Sequence, residues 1–216
     1  MKLIIESGST KTDWRSVADD GKVIGFRTSG INPILQSEDD IRSVMARAIP
    51  EVNPQGRTVD EVFFYGAGVL SPASAEPLVS LLATWCPLAR IECETDLTAA
   101  ARALFGDGSG VAVILGTGSN SCLWENGKAV STIRTGGFIL GDEGSGAVLG
   151  KMFLSMFTEE KSSVSQEYPA AVRKNFSKQL PVSVLLQKVL TSNSSIQPAI
   201  ILKNTSSVSR RVRSKI

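Results

Sequence analysis

Residues able to do chemistry gather at a few points of this chain. The apolar run at residues 2–5 breaks into Glu6-Ser7-Gly8-Ser9-Thr10-Lys11-Thr12. Gly8 permits backbone geometry closed to other residues, so neighbouring amides can converge on one spot. With the hydroxyls of Ser9, Thr10 and Thr12 and the ammonium of Lys11 beside them, such a turn suits an anion, above all a phosphate. The same stretch also reads as an ordinary β-hairpin turn. It recurs, however: Leu115-Gly116-Thr117-Gly118-Ser119 follows an apolar run at 111–115. Trp14 then matches Trp124, and Gly21-Lys22 is echoed by Gly127-Lys128. Such self-similarity fixes architecture. It implies two halves with the same opening hairpin, whose glycine turns would form a phosphate clamp between two domains.

The chain contains no histidine. That removes Ser-His-Asp and Cys-His catalysis and most transition-metal sites. A general base must then be a carboxylate, Lys, Tyr or Cys. Asp96 heads the Ala-rich run 95–105, where it reads either as a helix N-cap or as a carboxylate aimed by the helix start. Asp142 and Glu143 sit in a glycine-rich loop at 136–146, as solvated turn residues or ligand contacts. Asn32 precedes Pro33 and reads equally as a turn residue or a ligand contact. Cys86, Cys93 and Cys122 are too few and too dispersed for a disulfide framework or a zinc site. There is no GxxxxGK[ST], and Gly116-Thr117-Gly118 lacks the third glycine of a dinucleotide fingerprint.

The elements that must position these residues follow from period and punctuation. Strands are expected at 16–23 and 24–28 around an Asp19-Asp20-Gly21 turn, and at 59–65, which ends in Gly66-Ala67-Gly68. Further strands are expected at 90–93, 111–115, 121–124 and 129–134. Helical spacing covers 38–49, 72–85, 95–105, ended by Gly106, and 147–157. Residues 171–190 suit one or two helices, and 199–202 a short strand.

With 216 residues, 42% hydrophobic and 20% charged, the chain can bury a good core. No apolar run approaches the ~20 residues that span a bilayer, and the N-terminus lacks the pattern of a secretory signal. A cytoplasmic protein with reduced thiols is the expectation. Residues 1–157 are net acidic and residues 158–216 net basic. The basic charges are scattered among serines without aromatic interleaving, which argues against nucleic acid as partner. All 19 glycines lie at or before Gly150. From Thr191 onward no continuous pattern completes a second domain, as a truncated or frame-altered end would leave it.

ESGSTKTDW at 6–14, GINP at 30–33, YGAG at 65–68, TDLTAAARALFG at 95–106, LGTGSNS at 115–121 and GGFILGDEGSGAVLG at 136–150 resemble the N-acetylglucosamine kinases. More broadly they resemble the BadF/BadG-type ATPase branch of the sugar kinase, Hsp70 and actin superfamily. The resemblance covers about residues 1–155. It implies an α/β fold of two ribonuclease-H-like, actin-like ATPase domains. The first would span 1–106, the second would begin over 107–157 and be incomplete, and 158–216 would be a basic, serine-rich tail. It further implies Ser9, Thr10, Lys11 and Thr12 as the first phosphate loop and Gly116, Thr117, Gly118 and Ser119 as the second. Asp96 falls at the catalytic aspartate. Asn32, Gly68, Asn120 and Asp142 fall at positions for the sugar. Glu6 stands where most of the family has Asp, as a partner of Mg²⁺.

The activity so implied is ATP-dependent phosphorylation of a small amino sugar, N-acetylglucosamine to its 6-phosphate. No nucleic-acid or membrane partner is implied, and a homodimer is allowed. The dehydratase activators of the same branch hold an iron–sulfur cluster with cysteines, and three dispersed Cys argue against that. Full members continue with a further glycine-rich strand–loop for adenosine, which residues 151–216 cannot build. A non-catalytic sugar-binding protein, or an inactive kinase homologue, is therefore the alternative.

Overall fold

Leu3 and Ile5 project from the same face of the first strand, and this period of two builds a sheet around it. In the computed structural model, which describes residues 1–8, 10–133, 135–158 and 201–202, strand β1 (Lys2–Ser7) pairs antiparallel with β2 (Lys11–Val17). β2 pairs antiparallel with β3 (Val23–Ser29). On its other side β1 pairs parallel with β4 (Glu61–Gly66), and β4 parallel with β5 (Arg90–Thr95), giving the order β3-β2-β1-β4-β5. Helices α1 (Glu38–Val52) and α2 (Pro72–Trp85) lie on the Leu3/Ile5 face. There Ile41, Met45, Leu78, Leu81 and Leu82 close a core with Leu3, Ile5, Trp14, Val62 and Phe64. Each such fully buried large side chain contributes roughly 1.5–3 kcal/mol. Helix α3 (Asp96–Phe105) packs on β1, β4 and β5.

A second sheet has the order β8-β7-β6-β9, from β6 (Gly110–Leu115), β7 (Ser119–Glu125), β8 (Lys128–Thr132) and β9 (Ile201–Leu202). β6 is antiparallel to β7 and parallel to β9. Two helices accompany it, α4 (Gly137–Leu140) and α5 (Gly146–Thr158). Of the described residues, Met1–Ser109 and Glu125–Lys128 form one unit, and those of Gly110–Trp124 and Ala129–Asn204 the other. Among the described residues no helix is long and apolar enough to cross a membrane.

The expected α/β class is observed, with local differences. β2 resumes at Lys11, not Ser16, because the chain re-pairs at once: Thr12 lies opposite Ser7 and Lys11 opposite Ser29. The loop at 136–146 contains the short α4. Trp14 and Trp124 are both buried but do not correspond in register: Trp14 lies opposite Ile5, and Trp124 opposite Gly110 at the far end of its hairpin. The second hairpin joins Leu115 to Ser119, one residue tighter than Ser7 to Thr12, so matching by letters shifts the strands. The other echo is structural. Gly21 (φ 80°) and Gly127 (φ 78°) both adopt the left-handed geometry in the turn between second and third strands. The helices expected at 171–190 and the candidate Ser9 lie outside the described residues.

Candidate active site

Strand register brings the first unit's candidates to one edge. Ser7 is level with Gly66, and Gly66 with Thr95, so β1, β4 and β5 finish together. β3 runs the same way, because Lys11 pairs with its last residue, Ser29. From this edge emerge the Gly8 turn, the Gly30-Ile31-Asn32-Pro33 loop, the Ala67-Gly68 turn and Asp96. In open α/β sheets, ligands bind beyond the carboxyl ends of the strands.

In the first turn the Gly8 amide donates to Lys11 O (2.9 Å), so this N–H closes the turn. Thr10 is exposed and Lys11 half-buried. Thr12 departs from the expected phosphate contact. It is fully buried, and its hydroxyl lies 2.8 Å from Ser7 Oγ and 3.0 Å from Ser29 O. Its side chain lies on the core face with Ser7, bonded within the protein.

Asn32 and Gly68 are brought together. Gly68 has φ +90°, and a Cβ there would collide with the Asn32 carboxamide. That carboxamide is itself oriented, since Asn32 Oδ1 accepts the Ile34 N–H (2.9 Å) and Asn32 N–H donates to Gln36 Oε1 (2.7 Å).

Asp96 is the first residue of α3 and not its cap. Thr95 caps the helix, its Oγ1 accepting the Thr98 N–H (3.1 Å). Asp96 thus occupies the first turn, where the helix dipole favours a carboxylate. The helix is fixed by Arg102, whose guanidinium donates to Tyr65 OH (2.9 Å) and to Glu92 and lies 5.8 Å from the Tyr65 ring centre. Burial works against the Arg102 charge, but Glu92 and Tyr65 together hold its pKa above the ordinary value.

Glu6 faces Asp13 across the β1–β2 pair, and both are buried. Asp13 Oδ1 receives Arg27 Nε (3.0 Å) and Nη2 (2.9 Å), with Arg15 Nη2 3.7 Å away, while Asp13 Oδ2 accepts no hydrogen bond. Like charges directly opposite on neighbouring strands are destabilising. Arg27 and Arg15 offset the Asp13 charge at Oδ1, which leaves the buried Oδ2 facing Glu6, and Mg²⁺ asks for only one or two carboxylates, keeping water for its other positions. Glu6 and Asp13 therefore fit that ion. Among the described residues there is no cluster of three or more metal-ligating side chains.

The other ionisable groups suit catalysis less well. Burial pushes the Cys86 and Cys122 thiols up, and burial with Glu94 and Glu92 pushes Cys93 up to about 12. Burial likewise raises Tyr65. Thiolate or phenolate bases are disfavoured at neutral pH.

In the second unit the Gly116 N–H donates to Gly118 O (2.8 Å), closing the turn on itself. Its carbonyls are gripped by the start of α5: Gly146 N–H donates to Gly116 O (2.8 Å) and Ala147 N–H to Thr117 O (3.2 Å). Asp142 (φ 60°) lies against the turn, and a Cβ at Gly118 would stand 2.9 Å from Asp142 Oδ2. Ser119 opens β7, and Asn120 Oδ1 accepts the Ser121 N–H (2.9 Å). Asp142 is thus grouped with Gly118, and Asn32 with Gly68.

The chain matches the family of BadF/BadG/BcrA/BcrD ATPases over residues 5–212. It belongs to that family. The match continues through residues that the sequence motifs did not reach. Two solved structures of putative N-acetylglucosamine kinases are similar to this BadF/BadG-type chain. That of Porphyromonas gingivalis is 43% identical, with TM-score 0.69, over 78% of this chain and 62% of that one. That of Chromobacterium violaceum is 17% identical, with TM-score 0.59, over 98% of this chain and 72% of that one, and speaks to the fold alone. The chain spans 62% of the length of the Porphyromonas protein. None of the curated proteins matches it. The fold is the α/β actin-like ATPase fold.

The motifs pointed to neither Ser7, nor Asp13, nor the Arg102–Tyr65–Glu92 cluster as functional. The available signal was strand parity, which puts Glu6 and Asp13 on one face.

Proposed function

We propose that this chain carries phosphate- and sugar-binding parts of an ATP-dependent amino-sugar kinase. N-acetylglucosamine is the substrate, phosphorylated on its 6-hydroxyl. The observation that carries the reading is the shared strand edge from which the Gly8 turn, Asn32 with Gly68, and Asp96 all emerge. The choice of sugar is supported by the 43% identity to the Porphyromonas protein. Phosphoryl transfer is mostly positioning and charge neutralisation. The turns at Ser9, Thr10 and Lys11 in one unit and at Gly116, Thr117, Gly118 and Ser119 in the other bind the ATP phosphates. Asn32 and Gly68 contact the sugar, and Asn120 and Asp142 are assigned the same role. Glu6 and Asp13 would hold Mg²⁺, which when bound would neutralise phosphate charge. Asp96 accepts the hydroxyl proton as the sugar oxygen forms its bond to the γ-phosphorus and ADP departs. A cytoplasmic setting, where ATP is supplied and thiols stay reduced, belongs to the same reading.

The test is ADP release by the purified chain with Mg²⁺ and ATP, with and without N-acetylglucosamine. Sugar-dependent release is expected, falling at least about 100-fold in Asp96→Asn, the scale of a lost general base. Unchanged turnover in Asp96→Asn overturns the mechanism. A folded wild type that binds sugar but releases no ADP turns the reading to a non-catalytic sugar-binding protein.

A further inference from the structure

Three loops of the first unit meet at a residue that no motif singles out. Ser7, the last residue of β1, is fully buried. Its carbonyl accepts the Ala67 N–H (3.0 Å), which anchors the turn carrying Gly68. Its hydroxyl accepts the Ile31 N–H (2.7 Å) and lies 2.8 Å from Thr12 Oγ1 and 2.9 Å from Ile31 O. Thr12 Oγ1 in turn lies 3.0 Å from Ser29 O. Each hydroxyl has one proton to give. Ile31 N–H donates to Ser7 Oγ and Thr12 Oγ1 donates to Ser29 O, while the Ser7 proton is within reach of both Ile31 O and Thr12 Oγ1. These bonds tie both ends of the Gly30 peptide to the two strand residues that flank the Gly8 turn. Asn32 follows immediately, its carboxamide lodged against Gly68.

We infer that Ser7 is a positioning residue that couples the phosphate turn to the two loops bearing the sugar contacts. This rests on the reading of those loops given above. Buried hydroxyl networks have few alternative arrangements, because a donor or acceptor left unmatched inside the protein is penalised heavily. A shift of the Gly8 turn as phosphate arrives is therefore transmitted through Ser7 Oγ to Ile31 and Asn32, and through Ser7 O to Ala67 and Gly68. By reciprocity, sugar seated on Asn32 favours the phosphate-holding form of the turn.

The experiment compares the full chain with Ser7→Ala, and with Thr12→Val, which removes the neighbouring hydroxyl at constant shape. Ser16→Ala is the control. Ser16 is also a buried β2 hydroxyl, but it bonds to Val52 O (2.5 Å) at the end of α1. Amide hydrogen exchange at Ile31 and Asn32 is followed with and without magnesium pyrophosphate, whose binding is read separately by calorimetry. In the wild type and Ser16→Ala, pyrophosphate is expected to slow this exchange. In Ser7→Ala or Thr12→Val it binds without slowing it. In turnover, Ser7→Ala is expected to raise the KM for N-acetylglucosamine about tenfold, the factor of one buried hydrogen bond. Ser16→Ala should leave that KM within about twofold, by the same reckoning for a site with no lost ligand contact. Should Ser7→Ala not fold, Thr12→Val decides alone.

Pyrophosphate that binds the wild type without protecting Ile31 overturns the coupling. So does protection that survives in the folded variants, or a change equal in Ser16→Ala. Absence of pyrophosphate binding overturns the phosphate-turn reading and the coupling with it. Loss of the kinase reading shows separately, as no sugar-dependent ADP release from a wild type whose Ile31 still responds.

Discussion

Gly68 holds φ +90° while the Asn32 carboxamide occupies the space of its absent side chain. Gly68→Ala meets both constraints. It should lose more than about 1 kcal/mol of stability, as alanine does where φ is positive. It should also raise the KM for N-acetylglucosamine by displacing Asn32. Urea unfolding and initial rates check the two effects. A stability loss with an unchanged KM would remove Asn32 from the sugar contacts. Cys93 gives a pH prediction. Its thiol is raised from 9.0 to about 12, so between these values the unfolded chain has lost the proton that the folded chain keeps. The folded state then binds more protons, and stability falls as pH rises from about 9 towards 12. Buried Tyr65, shifted in the same direction, adds to the fall. Unfolding midpoints at pH 7 to 10.5 should show it, with a shallower decline in Cys93→Ala. At this scale glycine and asparagine were readable because their types are unusual where they stand. Ser7 was not, being one hydroxyl among several, and its role arises from four strands ending level. Of the two readings open for Asp96 the cap falls to Thr95, because capping follows backbone geometry and Thr95 (φ −68°, ψ 154°) has the extended form.

Helix α3 sets the direction of Asp96, and Arg102, nearly two turns on, sets α3. Arg102→Met keeps much of the stem but removes the charge-assisted bonds to Glu92 and Tyr65. A loss of about 1.5–3 kcal/mol is expected for hydrogen bonds to a charged group, read as a lower unfolding midpoint. Because the helix can then shift on β4 and β5, kcat should fall more than the KM for ATP. Equal falls in a control of matched stability would show that α3 does not aim Asp96. Elements were legible where pattern and punctuation agreed. Helix α2 spans Pro72–Trp85 as its period indicates, opened by Ser71 with Pro72 in the first turn. The spacing predicts an end to α1 at Ile49, before Pro50, yet the helix runs to Val52. Proline in a last turn removes one backbone bond, and burial of Val52 at 1% exposure offsets that loss. Period along one chain does not show such a tertiary gain.

The two units differ in how their sheets are completed. In the first, β1 with β4 and β4 with β5 each pair over six positions, whereas among the described residues β6 pairs with its parallel neighbour β9 at two, Ile201 and Leu202. The doubled hairpin and its Gly21 and Gly127 turns were legible because local punctuation repeats. The returning strand was legible only as a short apolar run, since a parallel partner carries no turn signal and its pairing depends on a crossover. The family match, which extends to residue 212, agrees with a role for this part of the chain. Ending the chain at residue 158 should therefore expose the β6 edge on the side that β9 now pairs. Unpaired edges template association with other chains. The shortened protein is expected to lose about 1–2 kcal/mol from the missing ladder bonds and to form soluble aggregates, seen by light scattering during size-exclusion chromatography. Because Gly116 and Thr117 follow directly on β6, the same truncation should weaken magnesium pyrophosphate binding at the second turn. If the shortened chain stays monomeric with an unchanged unfolding midpoint, β9 does not hold the second sheet.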